Sequence, residues 1–157
     1  MTEPRWDFRN EAHLATFTQL LAPLVIASRS RDFLTPEGAR SQLAVWIMAL
    51  DDVPEDVLGE GVKRLMRVVD YMPRPGQLRS VCCDITDERR RQAAKRARLL
   101  RDNCELCEGI GWRFDTDTEG VEVARPCVCQ ERAVAMMRDL PPALERPALP
   151  PAEPVEA

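Results

Sequence analysis

A chain of 157 residues, with 5% aromatic and 31% charged side chains, has room for one ordinary domain and an appendage, and its many alanines, leucines and arginines point to helices. The formal charge of −4 is unevenly spread: residues 87–101 hold seven basic and two acidic side chains, whereas residues 102–157 hold five basic and twelve acidic ones. No apolar run approaches the ~18 residues of a membrane span and no signal peptide opens the chain, so the expectation is a cytoplasmic, reducing setting (the host cytoplasm if the chain is phage-encoded).

Residues 1–9 are polar and are expected to fray. From Asn10, which can cap a helix, Leu14, Phe17, Leu20, Leu21, Leu24 and Val25 recur at helical spacing, and Pro23 is expected to kink or end that helix. His13, the single histidine, reads as a surface or boundary residue without a chemical role. Thr35-Pro36-Glu37 offers a hydroxyl at the cap and a proline at the first helical position; Leu43, Trp46, Ile47 and Leu50 then share one face. After Pro54, a third stripe runs through Val57, Leu58, Val62, Leu65, Val68 and Val69. Gly59 and Gly61 weaken this helix by about 1 kcal/mol each unless close packing needs them. Pro73 and Pro75 break the pattern, and Pro75 can open a fourth helix with Leu78, Val81, Cys82 and Ile85 inward. Cys82 reads as a small buried apolar residue and Cys83 as incidental. These four helices predict a small helical domain over residues 8–86, near the low end of size for a self-sufficient core.

Residues 87–103 read as a basic connecting helix, in which Arg89, Arg90, Arg91, Lys95, Arg96, Arg98 and Arg101 stand among alanines. Two roles fit it: a solvated spacer, or a helix that meets nucleic-acid phosphates through Arg89, Arg90, Arg91, Lys95, Arg98 and Arg101. Few Asn or Gln accompany the cations, so contact with DNA would carry little sequence specificity.

The chemistry concentrates between Cys104 and Cys129: a C-x2-C pair, nineteen intervening residues, and a C-x-C pair. Four soft thiolates from two close pairs suit one structural Zn²⁺, with Cys104, Cys107, Cys127 and Cys129 as ligands and no open position for water. Gly109 and Gly111 fit a turn that curls around the ion. Trp112, Phe114, Val121 and Val123 flank a polar turn, so residues 104–129 are expected to form a zinc-ribbon hairpin. A thioredoxin-like redox pair would need a βαβ setting, and a disulfide framework an oxidising compartment; neither is indicated. Residues 130–140 read as a short helix with Val134, Met137 and Leu140 on one side, and residues 141–157 as a disordered Pro-rich tail. The fold class expected is therefore mainly α, with a long basic helix and a small four-cysteine zinc module.

There is no Gly-rich phosphate loop, no Ser/His/Asp set and no carboxylate pair in a recognisable setting, so a non-catalytic binding protein is expected, without a small-molecule substrate or membrane partner. The tryptophan-bearing Leu43-Ala-Val-Trp46 and the turn Met72-Pro-Arg-Pro75-Gly-Gln-Leu78-Arg resemble bacteriophage replicative-helicase loaders over about residues 10–86. Separately, Cys104-Glu-Leu-Cys107-Glu-Gly109-Ile-Gly111 resembles the C-x-x-C-x-G-x-G unit of J-type co-chaperones. Only one such unit occurs and its complement is Cys127-Val-Cys129, so the zinc-knuckle geometry carries over but the co-chaperone assignment does not. The loader resemblance implies a DNA-replication accessory that binds a replicative helicase, with DNA reached through the basic helix. The alternative is a zinc-stabilised regulatory adaptor, in transcription or directed against a host, that binds protein alone.

Overall fold

The computed structural model describes residues 6, 7, 9–28 and 36–146. Among them lie five helices and one two-stranded antiparallel sheet: α1 (Glu11–Ser28), α2 (Pro36–Leu50), α3 (Glu55–Leu65), α4 (Pro75–Asp102), β1 (Trp112–Thr116), β2 (Glu122–Pro126) and α5 (Val128–Arg138). The described residues divide into two compact units, one running to Thr86 and rejoined by residues 143–146, the other spanning Asp87–Pro142.

In the first unit, Asn10 caps α1 by accepting the Ala12 and His13 N–H groups on Oδ1 at 3.0 and 3.4 Å. Phe17, Leu21 and Leu24 are buried at helical spacing. The helix runs five residues beyond Pro23, so the proline does not end it. Pro23 is exposed, so the carbonyl deprived of its N–H partner sits where water can serve it. The proposed cap at Thr35 lies outside the described residues; α2 does begin at Pro36 and buries Trp46, Ile47 and Leu50. The α3 stripe holds through Leu65, but Val68 is 81% exposed. Helix α3 ends at Leu65, and the tightened turn in which Val68 N–H reaches Leu65 O rotates that side chain outward. Close packing does explain Gly61: a Cβ there would meet Cys82 Sγ at 2.9 Å and Leu78 Cδ1 at 3.0 Å. A Cβ on Gly59 would make only ordinary contact, 3.5 Å from Leu20.

The start of α4 is a built turn. Arg74 N–H donates to Gln77 Oε1 at 2.7 Å across Pro75, the reciprocal half of a capping box, and Gln77 Nε2 donates to the Tyr71 hydroxyl at 3.3 Å. Arg79 then grips Asp52 through two hydrogen bonds, 2.6 and 2.9 Å, and donates to Ala49 O and Glu145 O. The Asp52 hydrogen bond raises the Arg79 pKa, and the pair fastens the α2–α3 turn to α4. Helix α4 is continuous across residue 86, so the fourth helix and the basic helix are one 28-residue element.

Parts of two stretches expected to be loose are packed; residues 1–5 and 8 of the first lie outside the described residues. Trp6 is 6% exposed, donates its indole N–H to Val53 O at 2.8 Å, and meets Phe17 edge-on with ring centroids 5.3 Å apart. His13 is half-buried beside it and accepts the Asp7 N–H on Nδ1, a boundary position. The structureless tail expected from Pro141 does not hold at its beginning. Leu144 packs on the helical core, Arg146 pairs with Asp84 at 2.8 Å, and the rest of that tail, residues 147–157, lies outside the described residues. The same return of the chain buries Cys83, whose Sγ lies 3.9 and 3.7 Å from the carbonyl oxygens of Leu144 and Glu145. Cys83 is therefore not incidental. Cys82, on the core side, has its thiol pushed up to about 12, chiefly by burial.

In the second unit, β1 and β2 pair with Trp112 opposite Pro126 and Phe114 opposite Ala124. Asp117 Oδ1 accepts the N–H groups of Glu119 and Val121, both at 2.9 Å, which closes the connecting turn. Helix α5 starts at Val128, two residues earlier than expected, with Cys127 as its N-cap residue.

Candidate metal centre

Each cysteine pair is held by a different local device. On the first, Glu108 N–H bonds Cys104 O at 2.8 Å and Ile110 N–H bonds Cys107 O at 2.9 Å, winding the chain back on itself. Gly109 and Gly111 have φ of 86° and 84°, a region costly for any residue with a Cβ. That curl aims the Gly111 N–H at Cys107 Sγ, 3.3 Å away. The second pair straddles the start of α5, with Cys127 at its N-cap and Cys129 in its first turn, where unpaired amide N–H groups favour negative charge. A bond from Cys127 N–H to Gly111 O, 2.9 Å, joins the two halves.

The four sulfurs converge. Cys104 and Cys127 Sγ are 3.6 Å apart, Cys107 and Cys129 Sγ 3.5 Å, and all four lie within 4.8 Å of one another. A tetrahedral ion with metal–sulfur bonds of about 2.3 Å separates its ligand sulfurs by about 3.8 Å, so the set fits one ion. Cys107, Cys127 and Cys129 are buried and Cys104 is half-buried. Burial opposes the Cys107 thiolate, but the Gly111 N–H and hydrogen bonds from Cys129 and Cys104 outweigh it and draw the thiol down to about 7. Burial, reinforced by the neighbouring sulfurs, pushes Cys129 up to about 12. Of these two sulfurs, Cys107 is the one whose thiolate a backbone N–H supports.

All four cysteines expected as ligands are thus brought together. The direct N–H···S bond from Gly111 and the helix-capping position of Cys127 go beyond the sequence reading; the C-x-G-x-G spacing was the available signal for the first.

The cations of α4 do not form one face. Arg91, Lys95 and Arg98 are exposed and spaced i, i+4, i+7, a single stripe. Arg90 is half-buried and its Nη2 donates to Pro141 O at 2.8 Å, while Arg89 and Arg96 line a hollow with Met136 and Leu140 of the α5 side. Arg101 stands near the helix end, 3.6 Å from Asp102.

The fold and the sulfur set define a mainly helical protein with a four-cysteine candidate metal centre. Comparison with protein-family models, curated proteins and solved structures returned no match. No helix among the described residues is long and apolar enough to cross a membrane.

Proposed function

We propose that this chain is a zinc-stabilised, non-catalytic replication accessory of the helicase-loader kind. The carrying observation is the sulfur set itself: four thiols, three of them buried, within 4.8 Å of one another. Zn²⁺ favours such a set, and four protein ligands leave no position for a reacting water, so the ion would hold structure. Residues 104–129 then act as a rigid platform for contact with another macromolecule.

The helicase as partner rests on the sequence resemblance over residues 10–86, whose Met72-to-Arg79 turn has a structural task in seating α4. DNA contact rests on the exposed Arg91, Lys95 and Arg98 stripe. On this reading the protein carries a helicase to DNA without hydrolysing nucleotide itself.

Metal analysis of protein purified under reductant should find close to one zinc per chain, lost in Cys104→Ser and in Cys127→Ser. The zinc-loaded chain should co-elute with the replicative helicase of its own host or phage and change that helicase's loading on initiator-coated DNA. Replacing Arg91, Lys95 and Arg98 by Gln should flatten the salt dependence of DNA binding by roughly 0.7–0.9 for each phosphate no longer neutralised. Indifference to the helicase, with capture of a polymerase subunit or a repressor instead, would replace the loader by the adaptor.

A further inference from the structure

The second unit contains a cleft that the metal centre does not use. Its volume is about 620 Å³, and it opens between α4, the first cysteine turn and α5. Ala94, Ala97 and Ala133 leave it room, because methyl side chains do not fill the space between the helices. Ile110, Trp112, Val134 and Met137 form its apolar walls and are between 43% and 65% exposed. Large apolar side chains clustered in one hollow differ from singly scattered ones, which need no explanation.

Charge at the cleft has one sign. The ionic residues that line it are Arg98 and Arg101, and both lean on a single carboxylate, Asp102, at 3.3 and 3.6 Å. Two guanidiniums against one carboxylate leave the rim net positive. The wall also holds Gln130, whose Oε1 is buried with no hydrogen-bond partner among the described residues. Along α4 the lining runs from Ala94 to Arg101, and along α5 from Gln130 to Met137. Each is eight residues, whose seven steps of 1.5 Å span about 10 Å, about two helical turns.

We propose that this cleft is the docking groove for a short acidic amphipathic helix of a partner protein. Apolar side chains at i, i+3, i+4 and i+7 of that helix would seat on Ile110, Trp112, Val134 and Met137, and its flanking carboxylates would meet Arg98 and Arg101. Met137, with its flexible thioether, lets such a groove adapt to different apolar anchors. Single-stranded nucleic acid fits less well, since the walls offer one aromatic ring for stacking and are otherwise aliphatic. The inference deepens the proposed function by naming a partner-binding surface, and it rests on that reading only for the partner's identity.

The test uses the zinc-loaded full chain and three probes: a 20-residue helical peptide with Leu at i, i+3, i+4 and i+7 and Glu elsewhere, its Lys counterpart, and a 20-nucleotide oligo-dT. Trp112 reports occupancy, because Trp6 and Trp46 are buried in the other unit. The acidic peptide should shift Trp112 emission to the blue and bind at least tenfold more tightly than the basic one. Arg98→Glu combined with Arg101→Glu should invert that preference, an outcome that loss of folding cannot mimic. Ala133→Trp should plug the groove and abolish binding of either peptide at unchanged zinc content. Equal binding of the two peptides, no binding of either, or oligo-dT binding that Ala133→Trp removes would overturn the proposal. Retained helicase binding in the charge-reversed variant sinks the groove and leaves the loader standing. Acidic-peptide binding without any helicase contact does the reverse.

Discussion

The two units keep their shape by different means. In the first, buried side chains come from four helices, from Val53 in the α2–α3 turn and from Trp6, and fully burying each large apolar group contributes about 1.5–3 kcal/mol. In the second, the buried apolar residues among those described are Cys107, Cys127 and Cys129, while Trp112, Phe114, Val134 and Met137 remain substantially exposed. Stability in the first unit is thus divided among many contacts, and in the second it is concentrated on one small cluster. A small module with so little aliphatic core needs a staple, and four converging thiols supply the place for one. The contrast predicts different modes of failure, graded on one side and all-or-none on the other.

The largest effect should come from taking the metal away. Structural zinc sites in small peptides are worth apparent energies of about 10–16 kcal/mol at neutral pH, so chelation or Cys127→Ser should release amide protection across residues 104–138 while α1 to α3 stay protected. Hydrogen exchange reads both at once. Persistence of protection in the cysteine module after metal removal would break the comparison.

Phe17→Ala or Trp46→Ala should cost about 3–5 kcal/mol in the helical unit, measured by denaturant unfolding followed at an α1–α3 probe. Metal stoichiometry should not change. A parallel drop in bound metal would mean that the second unit draws on the first for its stability.

A smaller effect isolates the close approach of α3 to α4. Gly61→Ala gains helix propensity but drives a methyl to within 3.0 Å of Leu78 and Cys82, so a net destabilisation of about 1–3 kcal/mol is expected. In a double-mutant cycle, Cys82→Ala should relieve part of that cost. Strict additivity would show that the strain lies elsewhere.

The mildest prediction concerns pH. The folded-state Cys107 pKa is depressed from 9.0 to about 7, so its contribution to the metal-free folded module is present above pH 9 and is lost as pH falls through about 7. In the chelated chain, Trp112 emission should therefore shift to the red as pH falls from 9 to 6, and an unchanged spectrum would count against the Gly111 contact.

Much of the candidate site was legible in the chain because its geometry is local. Each cysteine pair spans only a few residues and is placed by a single turn, and the hairpin between the pairs needs only Asp117, Gly120 and strand-forming neighbours. The helices of the first unit were legible for the same reason: α1, α2 and α4 begin at Asn10, Pro36 and Pro75, where capping or a proline N–H deficit acts within one turn. Pro23 escapes a local reading because its penalty depends on which way the ring faces, and that is set by what α1 packs against.

Tertiary structure alone decided the remainder. Trp6, Arg79, Cys83 and Leu144 lie in segments whose local sequence gives no sign of burial, and each acquires its role from a partner 27 to 61 residues away. Sequence periodicity reports which side of a helix avoids water, but not which distant segment will cover it. That choice belongs to the packed state, where Val53 O accepts an indole proton, Asp52 takes a guanidinium, and the returning carbonyls of Leu144 and Glu145 close over a thiol. The cations of α4 follow the same rule: their number was set by the chain, while their division into an exposed stripe, a Pro141 contact and a cleft rim came from where α5 and the residues after it run.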